Sequence, residues 1–578
     1  MVMIAGVNHS FAMLRSSQQL ISQAARSQGL KPSVRWLSAQ DLDNYKAVND
    51  PIREYLPGST DRERLEKRLA YYCNTCTEIP IVIGDEQFHT KDVHYQVMPF
   101  DHQKKLAKFS YADKPLIEKA IETARKAQRD WERQPYEKRA EVFLKAAELL
   151  ADNYRMDVNA TTMLGQAKTI VQAEIDAACE LVDFLTFNVQ FGWQATRYQP
   201  ISVGTVTNTS SFRGMEGFWA SIAPFNFTAI GGNLASAPAL AGNASLWKAS
   251  DTAMLSNYTV FKVFREAGLP AGVINFVPAD GPVFGETVTN SPHLAGINFT
   301  GSVETFENLW KGVANNIGSF VGFPRMIGEC GGKNFHLVHK TADLKSVING
   351  TIMSAFEFCG QKCSACSRLF LPKSCAQEVI DGLVEAHKEI KVGSPLEVSS
   401  YLSAVIDDKS FSRISSYLEH ARTSSDCEVL AGGECDNSKG YFVQPTIVLC
   451  KDRNDKLLRE EIFGPVLSIY VYNDDADAEI INHINTSTRY ALTGSIFAKD
   501  QQVLDRWSDA LRYSVGNFYV NDKSTGSVVG QQPFGGARKS GTNDKAGGPH
   551  YLLKFMSPLS IKSNSGALTD WRYKYMQD

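Results

Sequence analysis

No stretch of the 578 residues is apolar for long enough to span a bilayer. Nor is there a surplus of charge of either sign. Sixty basic side chains stand against 63 acidic ones, a net charge of −3, which leaves no basic field for nucleic acid or anionic lipid. Short-period repeats and low-complexity tracts are missing. So are the Gly-x-Gly-x-x-Gly fingerprint, the phosphate-binding P-loop, the His-Glu-x-x-His zinc helix and the Gly-x-Ser-x-Gly elbow. The 11 cysteines are too sparse, and odd in number, for a secreted disulfide scaffold, so free thiols in a reducing compartment are expected. The sharpest local absence is at the start: residues 1–40 hold no Asp and no Glu, and Arg15, Arg26, Lys31 and Arg35 are their only charged side chains. Serine-rich, arginine-bearing and acid-free sequence without an apolar core is the signature of an organelle transit peptide rather than of a secretory signal.

What is present is the composition of a globular chain, 43% hydrophobic and 21% charged, long enough for about two to four structural units. Residues 41–113 read as a helical and then extended segment: TDRERLEKRLAYYCNTCT is helix-like over 60–77, and turn-rich sequence follows. From residue 114, two amphipathic helices and a third, AEIDAACELVDFLTFNVQFG, are indicated by apolar residues such as Ile117, Ile121 and Ala124 at helical spacing. Beyond 216 the period changes. The short apolar runs FWASIAPF, ASLWKAS, VINFVPA, LAGINFTGS and RMIGECGG alternate with helix-like segments, the pattern of a parallel sheet covered on both faces. A second alternating block runs from 334 to about 520. The expected fold is therefore α/β with two doubly wound units, divided near 325 and 525, and ligands are expected beyond the carboxyl ends of strands.

One segment looks reactive. In SAFEFCGQKCSACSR, residues 354–368, a helix-like run breaks at Gly360 and cysteines follow in C-x3-C-x2-C spacing. A structural zinc would need a fourth ligand, and Cys73 and Cys76 lie nearly 300 residues away, so no metal is expected there. Cys359 and Cys366 fit buried apolar thiols. Cys363 follows a Gly-Gln-Lys break, and the cation beside it, Lys362, is expected to favour thiolate. In IGECGGKN, residues 327–334, a strand-like run delivers Glu329 into a Gly-Gly turn, where it is a turn residue or a general base. INFTGS ends a strand at Gly301 and Ser302 before a helix whose N-terminus could receive phosphate.

GECGGKN, FCGQKCSACSR 34 residues from Glu329 to Cys363, EEIFGPV at 460–466, APFNF at 223–227, LWKAS at 246–250 and QQPFGGARKSG at 531–541 stand in the order found in the aldehyde dehydrogenase superfamily. Six motifs in order, across roughly residues 95–560, give a specific resemblance. Within the superfamily, FEFCGQKCSACSR and NDKSTGSVVGQQPFGGARKSGTNDKAGGPHY resemble the members that oxidise glutamate γ-semialdehyde in proline degradation, whose mitochondrial forms carry a transit peptide and act in the matrix.

The resemblance implies a chemistry and a set of roles. Cys363 is the nucleophile, Asn226 and the Cys363 N–H hold the oxyanion, and Glu329 activates the hydrolytic water. Taken alone, Asn226 reads better as a turn residue after Pro224. NAD is the implied cofactor, with Ile222, Ala223, Lys248, Gly281, Gly285, Gly301, Ser302, Glu461 and Phe463 around it. Glutamate semialdehyde is the implied small-molecule partner. Glu180 meets its ammonium, Gly526 and Ser527 its carboxylate, Phe227 and Phe534 its methylene chain, and Lys362 and Ser364 flank the nucleophile. Glu180 by itself reads as well as a surface helix carboxylate. By the same resemblance 114–325 is the NAD-binding domain with a flap near 197–215, 326–525 the catalytic domain, and 526–578 a return segment whose strand near 551–563 joins the flap in a homodimer. Glu329 weighs against the two competing functions, a reductive acyl-phosphate relative with no hydrolytic base and a catalytically silent protein on the same fold.

Overall fold

The computed structural model describes residues 37–577. The transit-peptide reading falls almost entirely outside them. Of its last residues, Ser38 caps a helix, Ala39–Asn44, and the Leu37 N–H donates to Glu141 at 3.0 Å. Among the described residues no helix is long and apolar enough to cross a membrane.

Two seven-stranded sheets organise the chain. The first runs Arg325–Glu329, Leu294–Thr300, Phe218–Ile222, Ser245–Lys248, Ile274–Phe276, Ile81–Ile83, Glu86–Phe88, and its first five strands are parallel. These five strands are the five apolar runs read from the sequence. Short runs flanked by turn residues can be buried on both faces only in a parallel sheet. Helix Lys114–Glu132 shows how the cover forms. Asp113 caps it through the Leu116 N–H at 3.0 Å, and Ile117, Ala120, Ile121 and Ala124 make one buried stripe. Trp219 and Trp247, both wholly buried, fill the space beneath the sheet's other face.

The second sheet runs Cys427–Ala431, Thr446–Cys450, Val466–Tyr472, Cys366–Pro372, Asn334–Val338, Thr493–Phe497, Asn517–Val520, parallel except at its Cys427–Ala431 edge. The segment read as turn-rich after residue 77 instead holds five strands, two of which extend the first sheet. Its 101–110 strand, DHQKKLAKFS, is charged on its outer half and apolar only at its end, so the sequence shows no clean alternation. Val206–Gly214 pairs antiparallel with Met556–Asn564 in nine-residue register, forming a two-stranded ribbon that projects with both edges open.

Candidate active site

The parallel register brings a row of strand ends to one edge. Lys248 lies opposite Ile222, Ile222 opposite Phe299, and Thr300 opposite Glu329. Strand order reverses between Phe218–Ile222 and Leu294–Thr300, which makes this edge a topological switch point. Ser302 caps helix Val303–Asn315 through the Thr305 N–H at 3.2 Å, just after Gly301. Gly285 is buried in helix Gly281–Thr289, while a methyl at Gly281 would meet nothing within 4 Å. The Ala223 N–H donates to the Lys248 carbonyl at 3.0 Å. The Lys248 ammonium has no hydrogen-bond or ion-pair partner among the described residues, and burial lowers its pKa.

Opposite this edge, the second sheet offers the amino end of strand Cys366–Pro372. Helix Leu344–Phe356 ends, and Phe358, Cys359 and Gly360 follow with φ of +50°, +54° and +62°. Left-handed backbone at two non-glycine residues costs about 1–3 kcal/mol each and clusters at functional sites. Here it is held in place. The Cys359 Sγ donates to the Ser403 carbonyl at 2.9 Å, and the Gln361 side chain accepts the Ile406 N–H at 2.9 Å. Gly360 is obligatory, since a Cβ would stand 2.4 Å from the Gly464 carbonyl oxygen. This turn delivers Cys363 to the wall of a cavity of about 610 Å³ between the two sheets. Strand-end reasoning therefore accounts for Glu329 and Lys248 but not for Cys363, which sits at an amino end.

The charge pattern also differs from the expectation. Lys362 does not serve the thiol: its ammonium pairs with Glu357 at 3.1 Å and lies 3.9 Å from Asp176. Burial works to lower the Lys362 pKa, but Asp176 and Glu357 carry it above its ordinary value. Burial pushes the Cys363 thiol up, and Glu329, Glu461 and Glu180 add to the shift, so the neighbouring charges do not favour thiolate as the sequence suggested. The Ser364 N–H faces the sulfur and partly opposes this. Ser364 itself lines the cavity, with its carbonyl accepting the Thr493 and Ser524 hydroxyls.

Glu329 reaches the same cavity. Burial raises its pKa well above the carboxylate range against the Gly536 N–H, which donates to it at 2.8 Å. The return loop holds this strand end, with Gly328 and Thr542 exchanging bonds and Cys330 donating to the Ser540 carbonyl at 2.8 Å. Asn226, read as either a turn residue or an oxyanion donor, is buried and donates one amide N–H to the Gln361 carbonyl at 3.1 Å across the sheet gap. Glu461 lies against the Gly331–Gly332 turn, accepts the Gly332 N–H at 2.8 Å, and is pushed up to about 7 by burial. Phe463, at φ +53°, packs edge-on to Phe225 and shares a small cleft with Cys363.

The far end of the cavity is polar. Glu180 lines it with no hydrogen-bond or ion-pair partner among the described residues, and burial raises its pKa well above the carboxylate range. This is a cavity carboxylate, not a solvated helix face. Gly526, at φ +97°, and Ser527 also line it, and neither backbone N–H is bonded among the described residues. The Ser527 hydroxyl is turned away to the Gln532 carbonyl, so at rest this loop presents its main chain. Phe227 and Phe534 line the same cavity.

Several wall residues carry no sequence motif. Asn49 and Asp50 come from the N-terminal segment, tied to Asp183 at 2.7 Å each. Lys168 is wholly buried over Phe227 and Phe358, pairs with Asp176, and is lowered to about 8 by its burial. Asp176 reaches the cavity from a π-helical turn, Glu174–Cys179, that interrupts the helix read as continuous, and Glu180 from the first position of the α-helix that follows, Glu180–Thr196. That turn rests on Glu174, buried with Arg155, Tyr55 and Asn159. The three cysteines at 359, 363 and 366 do not gather as metal ligands among the described residues. Cys359 and Cys363 are both free thiols.

A thiol and a carboxylate base face one another across a cavity whose other edge is a nucleotide-type strand-end crevice. That arrangement is of the kind found in enzymes that act on a small molecule beside a nucleotide cofactor, on two parallel-stranded α/β sheets. The aldehyde dehydrogenase family model matches residues 88–561, and the chain belongs to that family. It is 55% identical over 545 residues, 94% of this chain and 96% of the relative, to the human protein named mitochondrial delta-1-pyrroline-5-carboxylate dehydrogenase. It is 48% identical over 92% of its length to the Dictyostelium discoideum protein of the same name, of which 96% is covered. The crystal structure of the delta-pyrroline-5-carboxylate dehydrogenase from Mycobacterium tuberculosis bound with NAD superposes with a TM-score of 0.89 at 42% identity, covering 94% of this chain and all of that one.

Proposed function

We propose that the chain oxidises L-glutamate γ-semialdehyde, the open form of Δ1-pyrroline-5-carboxylate, to L-glutamate with NAD, the second oxidative step of proline degradation. The observation that carries this reading is the polar end of the cavity. A carboxylate, Glu180, and two main-chain N–H groups, at Gly526 and Ser527, all without a bonded partner among the described residues, line the cavity that also holds Cys363. An amino acid with an aldehyde at its far end matches that set. The names of the relatives over nearly the whole chain support the same substrate.

The strand-end edge fits NAD. A buried ammonium without a partner at Lys248, a capped helix N-terminus at Ser302, open space at Gly281 and a buried carboxylate at Glu461 are the donors and acceptors a dinucleotide needs. Ile222, Ala223, Gly285 and Gly301 form the walls of this edge and Phe463 its inner end. Bound NAD supplies the hydride acceptor.

The chain's own groups do the rest. The Cys363 thiol gives its proton to solvent as the sulfur attacks the aldehyde carbon, and the tetrahedral adduct carries the negative charge on its oxygen; the adduct is needed because an sp2 aldehyde has no alkoxide to expel hydride. The free amide N–H of Asn226 and the Cys363 N–H hold the oxyanion, each such donor being worth roughly 3–4 kcal/mol in the transition state. After hydride loss the thioester on Cys363 is hydrolysed by a water that gives its proton to Glu329. Glu180 and the 526–527 main chain fix the amino-acid end, and Phe227 and Phe534 flank the methylenes, with Lys362 neutralised behind the nucleophile.

NADH formation across a panel of aldehydes tests the substrate, with Glu180→Ala beside the parent protein. Removing one partner of a buried charge pair costs about 3 kcal/mol or more, so kcat/KM for glutamate semialdehyde should fall at least roughly 100-fold. Propanal turnover should change little. Equal losses on both aldehydes would show that Glu180 does not read the ammonium.

The projecting ribbon supports a dimer. Ile561 and Leu559 on its C-terminal strand, and Tyr198, Ile201 and Val203 beside its other strand, are exposed on an open-edged sheet, an association hazard unless paired. Light scattering at micromolar concentration should report a dimer or a multiple of it, and a monomer there would exclude this reading. The mitochondrial names of the relatives, with the acid-free residues 1–40, support import into the matrix. A reporter fused to residues 1–40 should enter the matrix, and its retention in the cytosol would count against import.

A further inference from the structure

On the outer edge of the second sheet, away from the cavity, three unlike metal-type ligands meet. His420 lies in the last turn of helix Asp408–Thr423, Cys427 opens the edge strand Cys427–Ala431, and Asp455 caps helix Lys456–Arg459. His420 Nε2, Cys427 Sγ and one Asp455 oxygen all lie within 4.8 Å of one another, the only such group among the described residues. We propose that His420, Cys427 and Asp455 form a binding site for a zinc-class divalent ion, with solvent in the fourth position.

The geometry is that of a hydrogen-bonded cluster within a small adjustment of an ion site. Imidazole and thiol converge on the same Asp455 Oδ2, from His420 Nε2 at 2.9 Å and Cys427 Sγ at 3.5 Å. Tetrahedral zinc at ordinary bond lengths places N and O ligands about 3.4 Å apart, and S and O ligands about 3.6 Å apart. The sulfur is therefore already in place, and the imidazole needs to retreat by about 0.5 Å. The carboxylate is pre-oriented, because its other oxygen accepts the Leu457 N–H at 2.8 Å and cannot swing away without uncapping the helix. The two protons that bridge the cluster without an ion, on Nε2 and Sγ, are those that ion binding releases. A thiolate with an imidazole and one carboxylate is a soft-to-borderline set, which selects zinc-like ions over magnesium or calcium. The His420 side chain is 27% exposed, which leaves a path for entry and for a solvent ligand.

The site would brace the cofactor edge. From the same helix, Arg413 donates to the Ile462 carbonyl at 3.2 Å and Tyr417 to Glu460 at 2.7 Å, on either side of Glu461. Cys450 faces Cys427 across the strand pair and is the alternative partner for its sulfur.

The full chain, carrying Cys363→Ala so that the cavity thiol does not compete, is stripped with chelator under reducing conditions and titrated with Zn²⁺ against a chromophoric chelator. One ion should bind with a dissociation constant of about 1 μM or lower. Co²⁺ should give thiolate-to-cobalt charge transfer in the near ultraviolet. Cys427→Ser should weaken binding roughly 100-fold, and Asp455→Asn, which keeps a good helix cap and so the fold, should do the same. Unchanged binding in Cys427→Ser, no binding below about 100 μM in the parent, or a Cys427–Cys450 disulfide in the natively purified chain would each overturn the site.

Discussion

Cys363→Ala should leave a folded chain that still binds NAD and makes no NADH from any aldehyde, with turnover down roughly 10⁴-fold or more. The size of the effect follows from the chemistry. Without a sulfur at this position no tetrahedral centre forms, and the other groups of the site have nothing to act on. Folding should survive because Cys363 lines a cavity rather than filling a core, so losing its sulfur leaves little new void. Steady-state NADH absorbance, near-ultraviolet circular dichroism and NAD titration on one preparation separate loss of chemistry from loss of fold. Cys359→Ala and Cys366→Ala should retain activity, since their sulfurs bond the Ser403 and Arg368 carbonyls. Substantial turnover by Cys363→Ala would remove the thiol from the mechanism altogether.

The five parallel strands of the first sheet were legible because burial on both faces leaves short, uninterrupted apolar runs between helices. The strands between 77 and 110 were not. Ile81–Ile83 is three residues long, and 101–110, the middle strand of a small three-stranded sheet, is polar and exposed over its first half. Glu329 could be read as a strand-end carboxylate by physical reasoning alone. Cys363 could be singled out by its glycine break, but the reason offered for its reactivity fails in three dimensions: Lys362 adjoins it in sequence and points to Glu357 and Asp176 in space. Asn49 and Asp176 reach the cavity only through long-range packing and a π-helical turn, for which a single sequence holds no periodic signal. Glu180 shows the limit most clearly. Its helical position among apolar neighbours is compatible with a surface or a pocket, and only the fold shows which.

Glu329→Gln should give a burst of about one NADH per site followed by a steady rate slowed roughly 10²–10⁴-fold. Glutamine keeps the shape and can still accept the Gly536 N–H, so the cavity wall should stand while the base is lost. Hydride transfer precedes the step that needs this base, and the thioester then accumulates on Cys363. The pH profile gives a second reading. Burial holds the Glu329 carboxyl protonated beyond the usual carboxylate range, so its base form appears only above that raised value. Steady-state turnover of the parent should therefore climb with pH through it, and Glu329→Gln should lose that limb. Burial, and Glu329 once it is ionised, both push the Cys363 thiol up, which makes one alternative outcome informative. If the burst disappears together with the steady rate, the carboxylate acts before hydride transfer by taking the proton from Cys363. A normal burst with normal hydrolysis would leave Glu329 as a turn residue at the end of its strand and no more.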